Sequence, residues 1–469
     1  MTEELNGYRK QIIEINSQIL RLIKSRLETA KKIGELKKKR NLPIANLKVE
    51  SDLINGALKL AREIDLDESL SSRAINILIA ESVKLQQGVS LDRSTFLYNI
   101  FEKANKLELM GEKVIRLEVG EPDLECPMEL KDALKKTVDE RKFIKYCSSK
   151  GLAELRTAIS ENLNQKYGTD IKENQILITN GGKLAIFSAI LSMVSHGDRV
   201  VIPEPTWPVY GSTVNLAKGR IDSIHTCFED SWNLNMADID EALTLNPKLF
   251  ILCTPNNPTG KIFSKNLVEA LGVSATRKGT YILSDEVYCA YSPLPFESVL
   301  KVLDSHFIYV NSFSKQYGMT GWRIGYAVSD PGIINKMQRI LQISVTCVPE
   351  FIQHAALKAL NMPQDPFTNY VKTLKMRLDV VCKALDRLPL SYVRPDGGLY
   401  IFPKVNTERF NSDVFAHKLL SEEKVAIAPG EAFGNYPEHF RLSLSTGVDN
   451  ILAGIEKIGV AIKGWQKEL

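Results

Sequence analysis

The chain has 469 residues, of which 44% are apolar and 25% charged, and a net charge of +4. That length exceeds one ordinary domain, and the composition is that of a globular protein rather than a disordered or fibrous one, so two or three domains are expected. The polar N-terminus, Met1 to Lys10, and the lack of any run of about 18 apolar residues argue against a secretory signal and a membrane span, and point to the cytoplasm.

Seven cysteines, odd in number and without Cys-x-x-Cys spacing, argue against a disulfide framework and a zinc site, and six dispersed histidines suggest no metal site. Residues 1–90 hold 16 Lys and Arg against 12 Asp and Glu, which leaves 44 against 44 in the remainder, so the first segment carries the whole excess. Such an excess suits nucleic acid, a membrane surface or small anionic substrates. The run Lys37-Lys38-Lys39-Arg40 does not choose among them, because the helix dipole favours basic residues in a last turn.

In chain order, Ile12, Ile15, Ile19, Leu22, Ala30 and Ile33 recur at helical spacing and predict one long helix over roughly 5–40. Pro43 marks a break, a shorter helix follows over about 47–64, and Asp67 or Ser69 caps a third that runs to about Gln87. Gly88-Val89-Ser90 reads as a junction. From residue 94 short β-branched runs alternate with helical stretches, at 114–119, 175–179, 199–203, 249–254, 281–285, 308–312 and 323–328. This predicts an all-α N-terminal domain, 1–90, followed by an α/β domain, 91–469, with a largely parallel sheet covered by helices.

An open parallel sheet places its ligands at the C-terminal ends of its strands. Four segments put chemistry there. Asn180-Gly181-Gly182-Lys183 lies between a strand and a helix, where glycines let backbone N–H groups approach a phosphate, although an ordinary turn reads the same way. Pro255-Asn256-Asn257-Pro258-Thr259-Gly260 and Ser284-Asp285-Glu286-Val287-Tyr288 each follow an apolar strand, and Asp285 is the carboxylate that a protonated pyridine nitrogen needs. Ser312-Phe313-Ser314-Lys315 precedes Gly321-Trp322-Arg323-Ile324-Gly325. In order and spacing these segments resemble the class I, fold-type I aminotransferases across residues 94–469.

The resemblance implies pyridoxal 5'-phosphate as cofactor, with a large domain over about 140–345 and a small one from about 91–139 plus 346–469. It makes Lys315 the Schiff-base lysine and proton shuttle, and pairs Asp285 with the pyridinium nitrogen. Asn257 and Tyr288 would bond the phenolic oxygen, and Trp207 would stack on the ring. Gly181, Gly182, Ser312 and Arg323 would hold the phosphate, joined by Tyr146 of a second subunit. Arg441 would grip the substrate α-carboxylate bidentately, with Gly120 beside it. Lys315 must be partly neutral near pH 7, so a lowered pKa is expected, driven by the cationic ring and Arg323.

In the helical segment Arg26 falls four residues after Leu22 and Lys37 four after Ile33, on or beside the apolar seam. Either their stems snorkel to water or they line a pocket for a small anion. Ser82 and Gln86, at i and i+4, share one face. With Arg9 and Glu50, these residues resemble the all-helical chorismate mutases over roughly 3–88. The resemblance implies an uncatalysed-type pericyclic step helped only by positioning and electrostatics. Arg9 and Arg26 would bind the two carboxylates, Lys37 and Gln86 the ether oxygen and Glu50 the ring hydroxyl, with Ser82 also on the substrate. Seventeen residues along a straight helix is about 25 Å, more than chorismate spans, so Arg9 and Arg26 would meet only across a homodimer. Asn46 and Val49 depart from the family, which has an Asp and an Arg there.

Together these resemblances imply a bifunctional enzyme of aromatic amino-acid biosynthesis acting on small molecules: chorismate, amino acids and 2-oxo acids. The alternative keeps the aminotransferase and makes the helical segment a non-catalytic dimerisation or regulatory module. Residues 1–90 show no hairpin for a winged DNA-binding head, so no nucleic-acid partner is expected, and no membrane partner either. Lys183 either balances the cofactor phosphate or, as in the prokaryotic aspartate aminotransferases that this module resembles, receives a distal substrate carboxylate. The second reading predicts dicarboxylic substrates with prephenate as acceptor; aromatic 2-oxo acids are the runner-up.

Overall fold

The computed structural model of the protein describes residues 2–39, 47–68, 70–71, 74–75, 78–79, 82, 93–293, 296–363, 365–407 and 409–468. The chain forms two compact units, Met1–Leu91 and Asp92–Leu469. No helix among the described residues is long and apolar enough to cross a membrane.

The first unit opens with α1, Thr2–Lys39, followed by α2, Leu47–Glu63, and the described residues from 68 to 82 are helical. Asp67 caps that last stretch, its Oδ1 accepting from the Leu70 N–H at 2.6 Å. Ser69 and the segment from Val83 to Gln87 lie outside the described residues. The buried face of α1 is rotated from the expected seam. Ala30 is buried with Ile23, Arg26, Leu27 and Lys37 partly covered beside it, whereas Leu22 is 71% exposed and Ile33 also faces outward. Spacing identifies an amphipathic helix, but the packing surface decides which residues of a broad apolar arc are covered.

The second unit is built on a seven-stranded sheet. We number its strands β1 (Ile176–Thr179), β2 (Arg199–Glu204), β3 (Arg220–His225), β4 (Leu249–Cys253), β5 (Tyr281–Asp285), β6 (Phe307–Ser312) and β7 (Gly325–Ser329). Their order is β1-β7-β6-β5-β4-β2-β3, parallel except for β7, which runs antiparallel to both neighbours. Strands β4 to β6 are buried on both faces, as apolar parallel strands under two helical layers must be. Phe250 and Leu252 join the core on one face, Leu249 and Ile251 that on the other. A third core draws on residues 100–117 and 370–462.

One expectation is corrected, and one strand lies beyond the predicted runs. The run at 114–119 is not a strand of the central sheet: only Ile115–Arg116 pairs, in parallel with Val425–Ala426. The edge strand β3 was not anticipated at all. Register places the ends of β4, β5 and β6 side by side, with Cys253 opposite Asp285 and Asp285 opposite Val310. That alignment is what brings the motif residues together.

Candidate active site

A cleft of about 530 Å³ opens at the ends of β4, β5 and β6. Gly120, Gly182, Lys183, Trp207, Asn257, Asp285, Tyr288, Ser312, Lys315, Arg323 and Arg441 all line it. Gly181 lies immediately behind, at φ 80°, where a Cβ would collide with the Arg323 guanidinium. Tyr146 is 86% exposed and does not line the cleft of its own chain.

Lys315 sits on the short helix Phe313–Gln316 that Ser312 caps, the Ser314 N–H donating to Ser312 Oγ at 3.1 Å. Its Nζ donates to the Gly120 carbonyl at 2.5 Å. Its pKa is lowered to about 8, chiefly by burial, with Arg441 and Arg323 pushing the same way and Glu121 and Asp285 opposing. The expectation of a lowered value holds, but burial rather than a neighbouring cation is the leading cause.

Asp285 ends β5 and is buried. Burial raises its pKa to about 6, against hydrogen bonds that lower it, including one from the Tyr210 hydroxyl at 2.6 Å. A carboxylate held this way gains from a cationic partner placed in the cleft. Arg441 donates from Nη1 to Asn257 Oδ1 at 2.8 Å and from Nη2 to the Glu118 carbonyl, and its guanidinium lies 4.2 Å from the Tyr400 ring centroid. The Tyr288 and Tyr400 hydroxyls are 2.9 Å apart.

Lys183, in the first turn of the helix Gly182–Met193, is exposed toward the cleft. Its ammonium donates to the Tyr98 hydroxyl at 2.9 Å and lies 5.4 Å from the Trp207 ring centroid. Tyr98, Tyr210 and Tyr400 were missed in the sequence. Each is a single tyrosine in a stretch without a motif, brought to the cleft only by tertiary packing.

In the helical unit Arg26 Nη1 donates to Ser82 Oγ at 2.5 Å and to the Leu78 carbonyl at 2.6 Å. Arg26 and Ser82 thus meet as expected, with Lys37 partly buried on the same helix. Arg9 is exposed, its guanidinium 3.4 Å from Asn6 Oδ1. The Glu50 and Val49 side chains, Asn46 and Gln86 fall outside what is described.

Residues 112–458 match the family of class I and II aminotransferases, and residues 8–87 match chorismate mutase type II. The chain belongs to the class I and II aminotransferases and carries a chorismate mutase domain at its N-terminus, so it is a bifunctional enzyme. It is similar to the aspartate aminotransferase of Thermotoga maritima, 32% identical over 360 residues, which is 76% of this chain and 93% of that protein. A probable aspartate/prephenate aminotransferase of Aquifex aeolicus is 32% identical over 378 residues, 78% of this chain and 95% of the other. Among solved structures, aspartate aminotransferase from Thermus thermophilus with maleate superposes with a TM-score of 0.73 at 30% identity, covering 78% of this chain and 96% of that one.

The cofactor of this family is pyridoxal phosphate, and the residues present fit it. Asp285 supplies a buried anion for a ring nitrogen. The close approach of Gly181 to Arg323 leaves a cradle that no side chain could share, at a helix start whose first N–H groups lack intrahelical partners. Lys315 supplies an amine of lowered pKa in the same cleft.

Proposed function

We propose that the N-terminal domain rearranges chorismate to prephenate and that the C-terminal domain transaminates dicarboxylic substrates, with glutamate or aspartate as donor and prephenate as acceptor, in a cytoplasmic homodimer. The observation that carries the substrate class is Lys183. Its ammonium faces the cleft and bonds Tyr98 rather than Ser312 or Arg323, so besides Lys315 and the Arg323 that would hold the phosphate the cleft has two further cations, Lys183 and Arg441. A substrate with two carboxylates satisfies both.

When bound, pyridoxal phosphate supplies an electron-withdrawing ring that spreads negative charge from the substrate Cα. Asp285 would hold the ring nitrogen protonated, the cation in turn offsetting the cost of its buried negative charge. Arg441 takes the α-carboxylate in its planar fork, exchanging its bond to Asn257. The Lys315 amine would take the proton from the substrate Cα and deliver it to the cofactor carbon that carried the aldehyde, a shuttle suited to a lysine of lowered pKa. Trp207, Tyr288 and Tyr400 wall the cleft against water.

For the mutase, Arg26 and Ser82 are joined by a hydrogen bond within one chain, which supports a shared polar site there. Arg9, exposed on the same helix, supports a site completed by a second copy. The exposed apolar residues Ile12, Ile15, Ile19 and Leu22 support the same pairing, as Tyr146 does for the aminotransferase. Seven free cysteines suit a reducing compartment.

The test is selectivity. Lys183→Ala is expected to lower kcat/KM on aspartate, 2-oxoglutarate and prephenate by about 10- to 150-fold, the loss of a hydrogen bond to a charged group, while phenylpyruvate and alanine change little. Equal losses in both classes would return Lys183 to the phosphate.

A further inference from the structure

The segment from Leu117 to Asp123 serves a succession of partners, through backbone carbonyls up to Gly120 and through side-chain carboxylates at Glu121 and Asp123. The Ser443 N–H donates to the Leu117 carbonyl at 2.8 Å, Arg441 Nη2 to that of Glu118, Ser445 Oγ to that of Val119 at 3.2 Å and Lys315 Nζ to that of Gly120 at 2.5 Å. The Glu121 carboxylate accepts from the Thr320 hydroxyl. Asp123 then accepts from Arg377 through both oxygens, at 2.7 and 2.8 Å, and from the Tyr370 hydroxyl at 2.8 Å. Arg377 also donates to the Leu444 carbonyl at 3.0 Å, so one guanidinium ties the end of this strap to the chain just past Arg441.

The carbonyls of residues 118 and 120, two positions apart on one short segment, hold the guanidinium that binds the substrate carboxylate and the amine that moves the proton on the adjoining carbon. Gly120 admits no side chain, since a Cβ there would overlap the Tyr400 phenol. Burial acts to raise the Asp123 carboxyl, yet the hydrogen bonds from Arg377 and Tyr370 overcome it and hold the group below its ordinary range. The strap is thus anchored by an ionised carboxylate that accepts three hydrogen bonds.

We propose that residues 118–120 act as a ruler setting Arg441 against Lys315, and that Arg377 and Tyr370, through Asp123, are the positioning residues that hold it. Neither Arg377 nor Tyr370 lines the cleft, so both act through the strap. The proposal rests on the transamination reading above, with Lys315 as the proton-transfer group.

The experiment compares holoenzyme of the parent, Tyr370→Phe, Arg377→Met and Arg377→Lys, with an amino donor carrying protium or deuterium at Cα. Arg377→Met is expected to lose about tenfold or more in kcat, the scale of a misplaced reacting group, and to show a larger isotope effect because proton transfer becomes slower than the other steps. Arg377→Lys recovers part of the rate, and Tyr370→Phe shifts both readouts the same way but less. Variants that fold and bind cofactor with unchanged kcat and isotope effect overturn the proposal, as does a lowered Tm with unchanged turnover per folded enzyme. If Arg377→Met does not fold, Tyr370→Phe decides alone. A parent enzyme with no transamination overturns the underlying reading instead.

Discussion

The two halves of this chain assemble their polar groups by opposite means. In the aminotransferase half, residues as distant in sequence as Gly120, Asp285, Lys315 and Arg441 meet in one cleft of a single chain. Parallel strands deliver their ends to one edge, so long intervals of sequence cost no distance. In the helical half, Arg9, Arg26 and Lys37 belong to one 38-residue helix about 57 Å long. A helix separates what it carries by about 1.5 Å per residue, so it gathers a site only by laying its faces against other helices. The sheet gathers nearly all of its cleft within one protomer, with Tyr146 alone facing outward, whereas the helical unit has one arginine bound to Ser82 and the other exposed.

The strongest test of this contrast is Lys315→Ala. Transamination is expected to fall by at least about 10³-fold, since proton transfer alone is worth 10² to 10⁴. Prephenate formation from chorismate should be unchanged, measured on the same preparation. Loss of both activities together would show that the two sites are not independent.

A smaller effect sharpens the helical side. Arg9→Ala and Arg26→Ala should each slow the mutase by about 10²-fold, the loss of a charge-assisted pair. Exchanged heterodimers of the two inactive variants should recover some activity, because a fraction of sites then holds both arginines. No recovery after verified subunit exchange would place both arginines at sites within one chain.

Much of the aminotransferase cleft was legible because its chemistry demands particular residue types at strand ends. Asp285, Asn257 and Lys315 announce themselves through neighbours of fixed spacing. Tyr210, Tyr98, Tyr400 and Arg377 do not, since each reaches its role from an unremarkable helix or strand. Strand β3 reads Arg220-Ile221-Asp222-Ser223-Ile224-His225, an edge strand with several outward residues and no clean alternation, so it carries neither strand signature. On α1 the period was legible and the phase was not, because the partners of Arg26, Leu78 and Ser82, lie more than 50 residues further along the chain.

The last expected effect, on stability rather than on turnover, concerns what deep burial does to a carboxylate. Glu286 is fully buried, with Oε1 accepting from the Val299 N–H at 2.9 Å and Oε2 without a partner among the described residues. Burial raises its pKa to about 7 despite hydrogen bonds that lower it. The folded state then holds more protons than the unfolded one between the ordinary carboxyl value and about 7, so its stabilising contribution is complete at low pH and is lost as pH rises through that window. Glu286→Gln should unfold later than the parent at pH 8, by up to about 3 kcal/mol, with the gap closing toward pH 4. Denaturant midpoints at the two pH values decide it, and a gap independent of pH would mean that Glu286 does not titrate there.

The depressed pKa of Lys315 can also be restated as a population. A free lysine side chain near 10.5 leaves about one amine in a thousand uncharged at pH 7.5, whereas a value of about 8 leaves about one in four. The nucleophilic form is thus some 200 times more abundant before any cofactor arrives. The burial that lowers this pKa brings capture of an aldehyde within reach near neutral pH.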